Sequence, residues 1–112
     1  MRRTLAGVLD TPLPPDGIYV ADDNLLPFVA EELEWRGIVP GRDLGVVTLW
    51  NENVFFDSPY EWSRMEHSPR KFGQALARNL VAAAQSANAQ LANYATLADW
   101  KPGKTHQRTP KA

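Results

Sequence analysis

Apolar and polar positions along this chain alternate between two periods. Residues 17–21, Gly17-Ile18-Tyr19-Val20-Ala21, form a short β-branched and aromatic run that is apolar on both sides. Such a run predicts a strand buried on both faces, as in a parallel sheet. The period then changes. Leu26, Val29, Ala30 and Leu33 recur at i, i+3, i+4 and i+7, which is one face of a helix. Pro27 belongs in its first turn, where the missing N–H costs nothing. That favours Asn24 as the N-cap, with Asp23 the competing cap, and Gly37 as the stop. Leu25, Phe28 and Trp35 make a second apolar stripe beside the first. A helix on one sheet needs one stripe, so the second asks for another neighbour.

After a Pro40-Gly41-Arg42-Asp43 turn, residues 44–49 read as a second buried strand. Strand, helix and strand in this order make a βαβ unit with a right-handed crossover. Residues 50–67 show no period, although Trp50, Phe55, Phe56, Tyr60 and Trp62 lie among polar residues. Ser68-Pro69 reads as an N-cap with proline at the first helical position. Phe72, Ala75, Leu76, Leu80 and Ala83 continue that helix to about residue 86. Residues 91–100 suit one more strand, and the basic, proline-containing residues 101–112 are expected to fray.

Composition narrows the function. The 112 residues carry a formal net charge of −1 and no cysteine. The balance excludes a strongly basic nucleic-acid surface on the whole chain, and disulfides and thiolate metal sites are excluded outright. No apolar run reaches the ~20 residues of a membrane span, and residues 1–10 lack the apolar core of a signal peptide. A cytoplasmic location and no membrane association are therefore expected.

Candidate chemistry gathers at strand ends, because open α/β sheets bind ligands beyond the carboxyl ends of their strands. Asp22 and Asp23 follow the first strand; Trp50 and Asn51 end the second. Asp23 can accept hydrogen bonds from a ligand if Asn24 takes the cap. Trp50 can stack on a ring or pack a hinge. Phe55, Phe56, Tyr60 and Trp62 suit a loop core better than a ligand wall. Lys101-Pro102-Gly103-Lys104-Thr105 resembles the end of a phosphate loop, but Ala98 stands where the motif needs glycine. His67 and His106 lack metal-ligand spacing. Glu31 and Glu32 suit a solvated helix face, and no serine or cysteine nucleophile is arranged with a base. An enzyme is not expected, nor a cofactor or metal.

Three segments together resemble one family. Asp16-Gly17-Ile18-Tyr19-Val20-Ala21-Asp22-Asp23 is similar to the P-D-A-hydrophobic-A-N-D strand of LacI-type transcriptional regulators. Glu34-Trp35-Arg36-Gly37, followed by Val39-Pro40-Gly41-Arg42-Asp43-Leu44-Gly45-Val46-Val47, is similar to their E-R-G and V-P-x-D-hydrophobic-x-V-V segment. The run from Trp62 to Gly73 sits where they have L-T-T-V-x-Q-P-x-x-x-L-G. The chain departs from the pattern at Asp22, in Thr48-Leu49-Trp50-Asn51 where the family has G-[FY]-D-[DN], and at Trp62 and Arg64.

The resemblance implies an α/β fold: a parallel sheet with flanking helices, part of a type I periplasmic-binding-protein-like architecture. Residues 1–50 would belong to its C-terminal subdomain. Residues 51–90 would form a crossover loop and a helix of the N-terminal subdomain, a helix short of its sheet. Residues 91–112 would form a return strand and a flexible basic tail. The implied function is effector sensing and dimerisation in a DNA-binding regulator, with a small sugar-like or nucleoside-like ligand at Asp22, Asp23, Trp50 and Asn51. A homodimer would form through Leu25, Phe28, Val29, Glu32 and Trp35. DNA would be met only through a helix-turn-helix head outside this chain. A periplasmic solute-binding protein fragment and a ligand-free dimerisation remnant are the alternatives.

Overall fold

A computed structural model describes residues 2–85 and 98–107. Helix α1 (Arg2–Leu9) leads through a proline-rich turn into strand β1 (Gly17–Val20). A single 3-10 turn (Asp23–Leu25) opens helix α2 (Leu26–Trp35), followed by strands β2 (Gly45–Asn51) and β3 (Ser63–His67), helix α3 (Pro69–Gln85) and strand β4 (Asp99–Lys101). The four strands form one sheet in the order β1-β2-β3-β4. β1, β2 and β3 are parallel, with Val20 opposite Thr48 and Thr48 opposite Arg64; β4 runs antiparallel to β3. The α/β class and the parallel βαβ unit are those expected from sequence.

Alternation assigns each strand residue to a face. Ile18, Val20, Val46, Thr48, Trp50 and Arg64 share one face by register. Val20, Leu26, Val29, Leu33, Leu44, Val46, Trp50 and Trp62 form one buried cluster there, joined by Leu5 of α1. Both sides of β1 were expected to be buried, yet Tyr19 on the opposite face is 54% exposed. α1 and α2 both serve the first face, so β1 is half-covered, and β2 alternates between buried and half-buried positions.

Local chemistry sets the ends of α2. Asp22, not Asn24, is the capping side chain: its Oδ1 accepts the Asn24 N–H at 2.9 Å. The 3-10 turn moves the start of α2 to Leu26 and brings Pro27 into the first turn. At the other end Gly37 takes φ +69°, with Ile38 N–H on the Leu33 carbonyl and Gly37 N–H on the Glu34 carbonyl. That pair of bonds is a Schellman stop, which glycine adopts without a Cβ penalty. Arg36 then joins the two helices. It makes a two-pronged pair with Asp10 (2.6 and 3.1 Å) while its Nε donates to Glu32 at 3.0 Å.

Residues 50–67, which showed no period, contain β3, paired in the same sheet as β1 and β2. Its residues Ser63-Arg64-Met65-Glu66-His67 are largely polar, so no apolar alternation announced it. The strand unit therefore extends past residue 50, the boundary expected from sequence. Of the return strand expected in 91–100, residues 99–101 form β4, while residues 91–97 lie outside the described residues.

The tail was expected to fray from residue 101; its described part, residues 101–107, is instead built onto the sheet, and residues 108–112 lie outside the described residues. Thr105 is 1% exposed. Its carbonyl accepts the Val46 N–H (2.8 Å), its Oγ1 donates to the Val46 carbonyl (2.7 Å), and the same Oγ1 accepts the Ser63 N–H (2.8 Å). Thr105 thus fills the gap between β2 and β3 ahead of their first shared rung. Ser63 Oγ accepts from Gly103 N (3.0 Å) and His106 N (3.2 Å) and lies 2.6 Å from His106 Nδ1. The fit requires glycine: a Cβ on Gly103 would fall 2.2 Å from the Glu61 carbonyl oxygen.

Candidate functional site

The carboxyl ends of β1, β2 and β3 lie side by side and form a rim. At the β1 end, Asp23 is buried and reaches across to β2: its Oδ2 accepts both the Asn51 backbone N–H (2.9 Å) and the Asn51 side-chain Nδ2 (3.1 Å). Asp23 therefore caps no helix; it ties together the ends of two parallel strands. Hydrogen bonds to a charged acceptor are the stronger kind, so the rim is held in place before any ligand arrives.

Three acceptors remain there. Asp22 is exposed and uses Oδ1 for its own turn. Asp23 Oδ1 and Asn51 Oδ1 have no hydrogen-bond partner among the described residues, and no unpartnered side-chain oxygen there is sealed from solvent. His67 lies opposite Asn51 on β3, its ring centroid 5.7 Å from that of Phe72. The sequence offered His67 no metal-ligand spacing and no place at the strand ends. Its place on the rim follows from β3, which carried no readable period.

Trp50, expected beside Asn51 at the rim, points the other way. One step separates them along β2, so they face opposite sides of the sheet. Its indole is 6% exposed in the core cluster, and Nε1 donates to the Val54 carbonyl at 3.1 Å. The strand-end set expected from sequence thus divides: Asp22, Asp23 and Asn51 meet at the rim, and Trp50 belongs to the aromatic group under the β2–β3 loop. Residues of that loop pack against the same core cluster that α1 and α2 cover. Phe56 and Tyr60 pack on Trp62, at ring-centroid distances of 6.3 and 5.6 Å.

The five residues expected at a dimer interface divide as well. Val29 (4% exposed) and Glu32 (6%) point into the chain's own core, and Glu32 holds Arg36. They do not lie on the outer surface. Leu25, Phe28 and Trp35 are 37%, 57% and 80% exposed and form the outer stripe of α2 and the 3-10 turn that opens it.

Three comparisons bear on the family. A family model described as a periplasmic binding protein-like domain matches residues 2–105. No curated protein and no solved structure matches the chain. The matched span runs from α1 through β4 to Thr105, the residue that closes the sheet, and it includes the rim and the β2–β3 loop. On that match, with its mainly parallel sheet and flanking helices, the chain belongs to the periplasmic binding protein-like domain family.

Proposed function

We propose that this chain is the effector-sensing portion of a LacI-type transcriptional regulator, binding a small polyhydroxylated ligand at the carboxyl ends of β1 and β2. One observation carries the reading: Asp23 joins the ends of two parallel strands through Asn51 while leaving acceptor oxygens unpaired at the rim. A fixed cluster of acceptors suits a ligand that brings many donors, which sugars and nucleosides do. The family supports a ligand-binding role. In this reading the domain binds its ligand and does no chemistry on it. Binding would shift the balance between two arrangements of a dimer and so alter operator affinity through a separate DNA-binding head. The outer stripe of α2, Leu25, Phe28 and Trp35, supplies the dimer surface.

The test is a thermal-shift screen of monosaccharides and nucleosides against the wild type and Asp23→Asn. The wild type gains Tm with at least one compound, and the variant loses that gain while keeping its fold. No response to any compound, or the same response in both proteins, would overturn the reading.

A further inference from the structure

We propose that the pocket beneath the β2–β3 loop is a second binding site, separate from the rim, and that it takes an aromatic carboxylate. The pocket has a volume of about 540 Å³, within the ~300–1,000 Å³ typical of small-molecule sites. Its walls include Trp50, Phe55, Tyr60 and Trp62. Phe55 is 86% exposed although it lines this concave surface. An aromatic face left to water beside other rings is the surface a planar apolar ligand covers.

The polar groups of the pocket select the charge. The Arg64 guanidinium carbon lies 4.6 Å from the Trp50 ring centroid, so the cation is stacked and oriented. Only its Nε is engaged, with Glu66 at 3.3 Å; its two Nη groups have no partner among the described residues. A planar fork with two free donors matches a carboxylate edge on. Lys101 stands opposite Arg64 on the β3–β4 ladder and lines the same pocket. The acid in the lining, Glu61, faces Lys104 at 4.0 Å. The pocket's free side-chain donors, the Arg64 Nη groups and Lys101, are thus cationic and outnumber its one lining acid. This is the reverse of the acceptor-rich rim, and it disfavours a neutral sugar, whose hydroxyls need acceptors as well.

The experiment is calorimetric titration of the full chain with 4-hydroxybenzoate, indole-3-acetate and 2-naphthoate, each against its neutral amide. At least one acid binds, and its amide binds at least tenfold more weakly. Arg64→Lys keeps the charge but loses the fork and weakens the acid at least fivefold; Lys101→Gln, an exposed change that spares the fold, weakens it at least threefold. Lys71→Gln, which removes a positive charge outside the pocket, leaves affinity unchanged. During the titration the indole N–H resonances of Trp50 and Trp62 move, and that of Trp35 on the outer face of α2 stays. No binding by any of the three acids, equal binding of acid and amide, or unaltered affinity in both pocket variants would overturn the proposal. So would a shift confined to Trp35.

Discussion

At the scale of single residues, small polar side chains hold the strand ends in place. Thr105 bridges β2 and β3 with one hydroxyl that both donates and accepts in a buried setting. Thr105→Val keeps the shape but strands the Ser63 N–H and the Val46 carbonyl. Each buried unsatisfied group costs about 1–3 kcal/mol, so a loss on the order of 2–4 kcal/mol is expected in urea unfolding. An unchanged midpoint would mean that the tail does not close the sheet. Asp10 gives a prediction in pH. The hydrogen bonds from Arg36 hold its carboxyl below the usual carboxylate range. A carboxylate lowered in the folded state contributes stability above its unfolded pKa, and that contribution fades as pH falls through the folded value. Between pH 7 and pH 3 the wild type should therefore lose more stability than Asp10→Asn. Equal losses, measured by urea midpoints at the two pH values, would show that the pair is too exposed to matter.

At the scale of elements, α2 has two apolar sides with different fates. Leu26, Val29 and Leu33 are in the core, while Leu25, Phe28 and Trp35 face outward. If the outer stripe is a dimer surface, Phe28→Glu should sediment as monomer at concentrations where the wild type sediments as dimer. A wild type that is already monomeric, or an unshifted variant, would remove α2 from the interface. The two stripes were readable because helix period and burial agree. Val29 and Glu32 were misplaced by the dimer surface that the resemblance implied, although the helix period had already put Val29 on the stripe of Leu26 and Leu33. α2 and α3 were readable because their apolar residues keep a helical period, and β1 and β2 because each is a short apolar run. β3 was not, since its side chains are polar and its pairing comes from β2. α1 also went unread; its few apolar residues gain their meaning from α2. The rim was half legible. Carboxyl-end placement follows from strand order, but Asp23 gripping Asn51 depends on a 3-10 turn that Asp22, not Asn24, caps.

At the scale of the whole molecule, the chain is elongated. Its radius of gyration is 18.4 Å, against roughly 13 Å for a compact chain of this length. α3 accounts for part of this. It makes at most marginal contact with the other described elements, and Leu76 and Leu80 on it are 51% and 72% exposed. Leu80→Lys should therefore leave the unfolding free energy, measured in urea, within about 0.5 kcal/mol of wild type, as surface changes do. A loss several times larger would mean that the stripe is covered in solution. None of the described helices is long and apolar enough to cross a membrane. What the assembled sheet offers is a pre-ordered, acceptor-rich rim on one edge and a cationic aromatic pocket under the β2–β3 loop. The rim is the account's central claim, and its most direct test is a nuclear magnetic resonance titration with the sugar or nucleoside that raises Tm. The backbone and side-chain amide signals of Asn51 should move saturably with that ligand; a ligand that stabilises the protein while those signals stay fixed would contradict it.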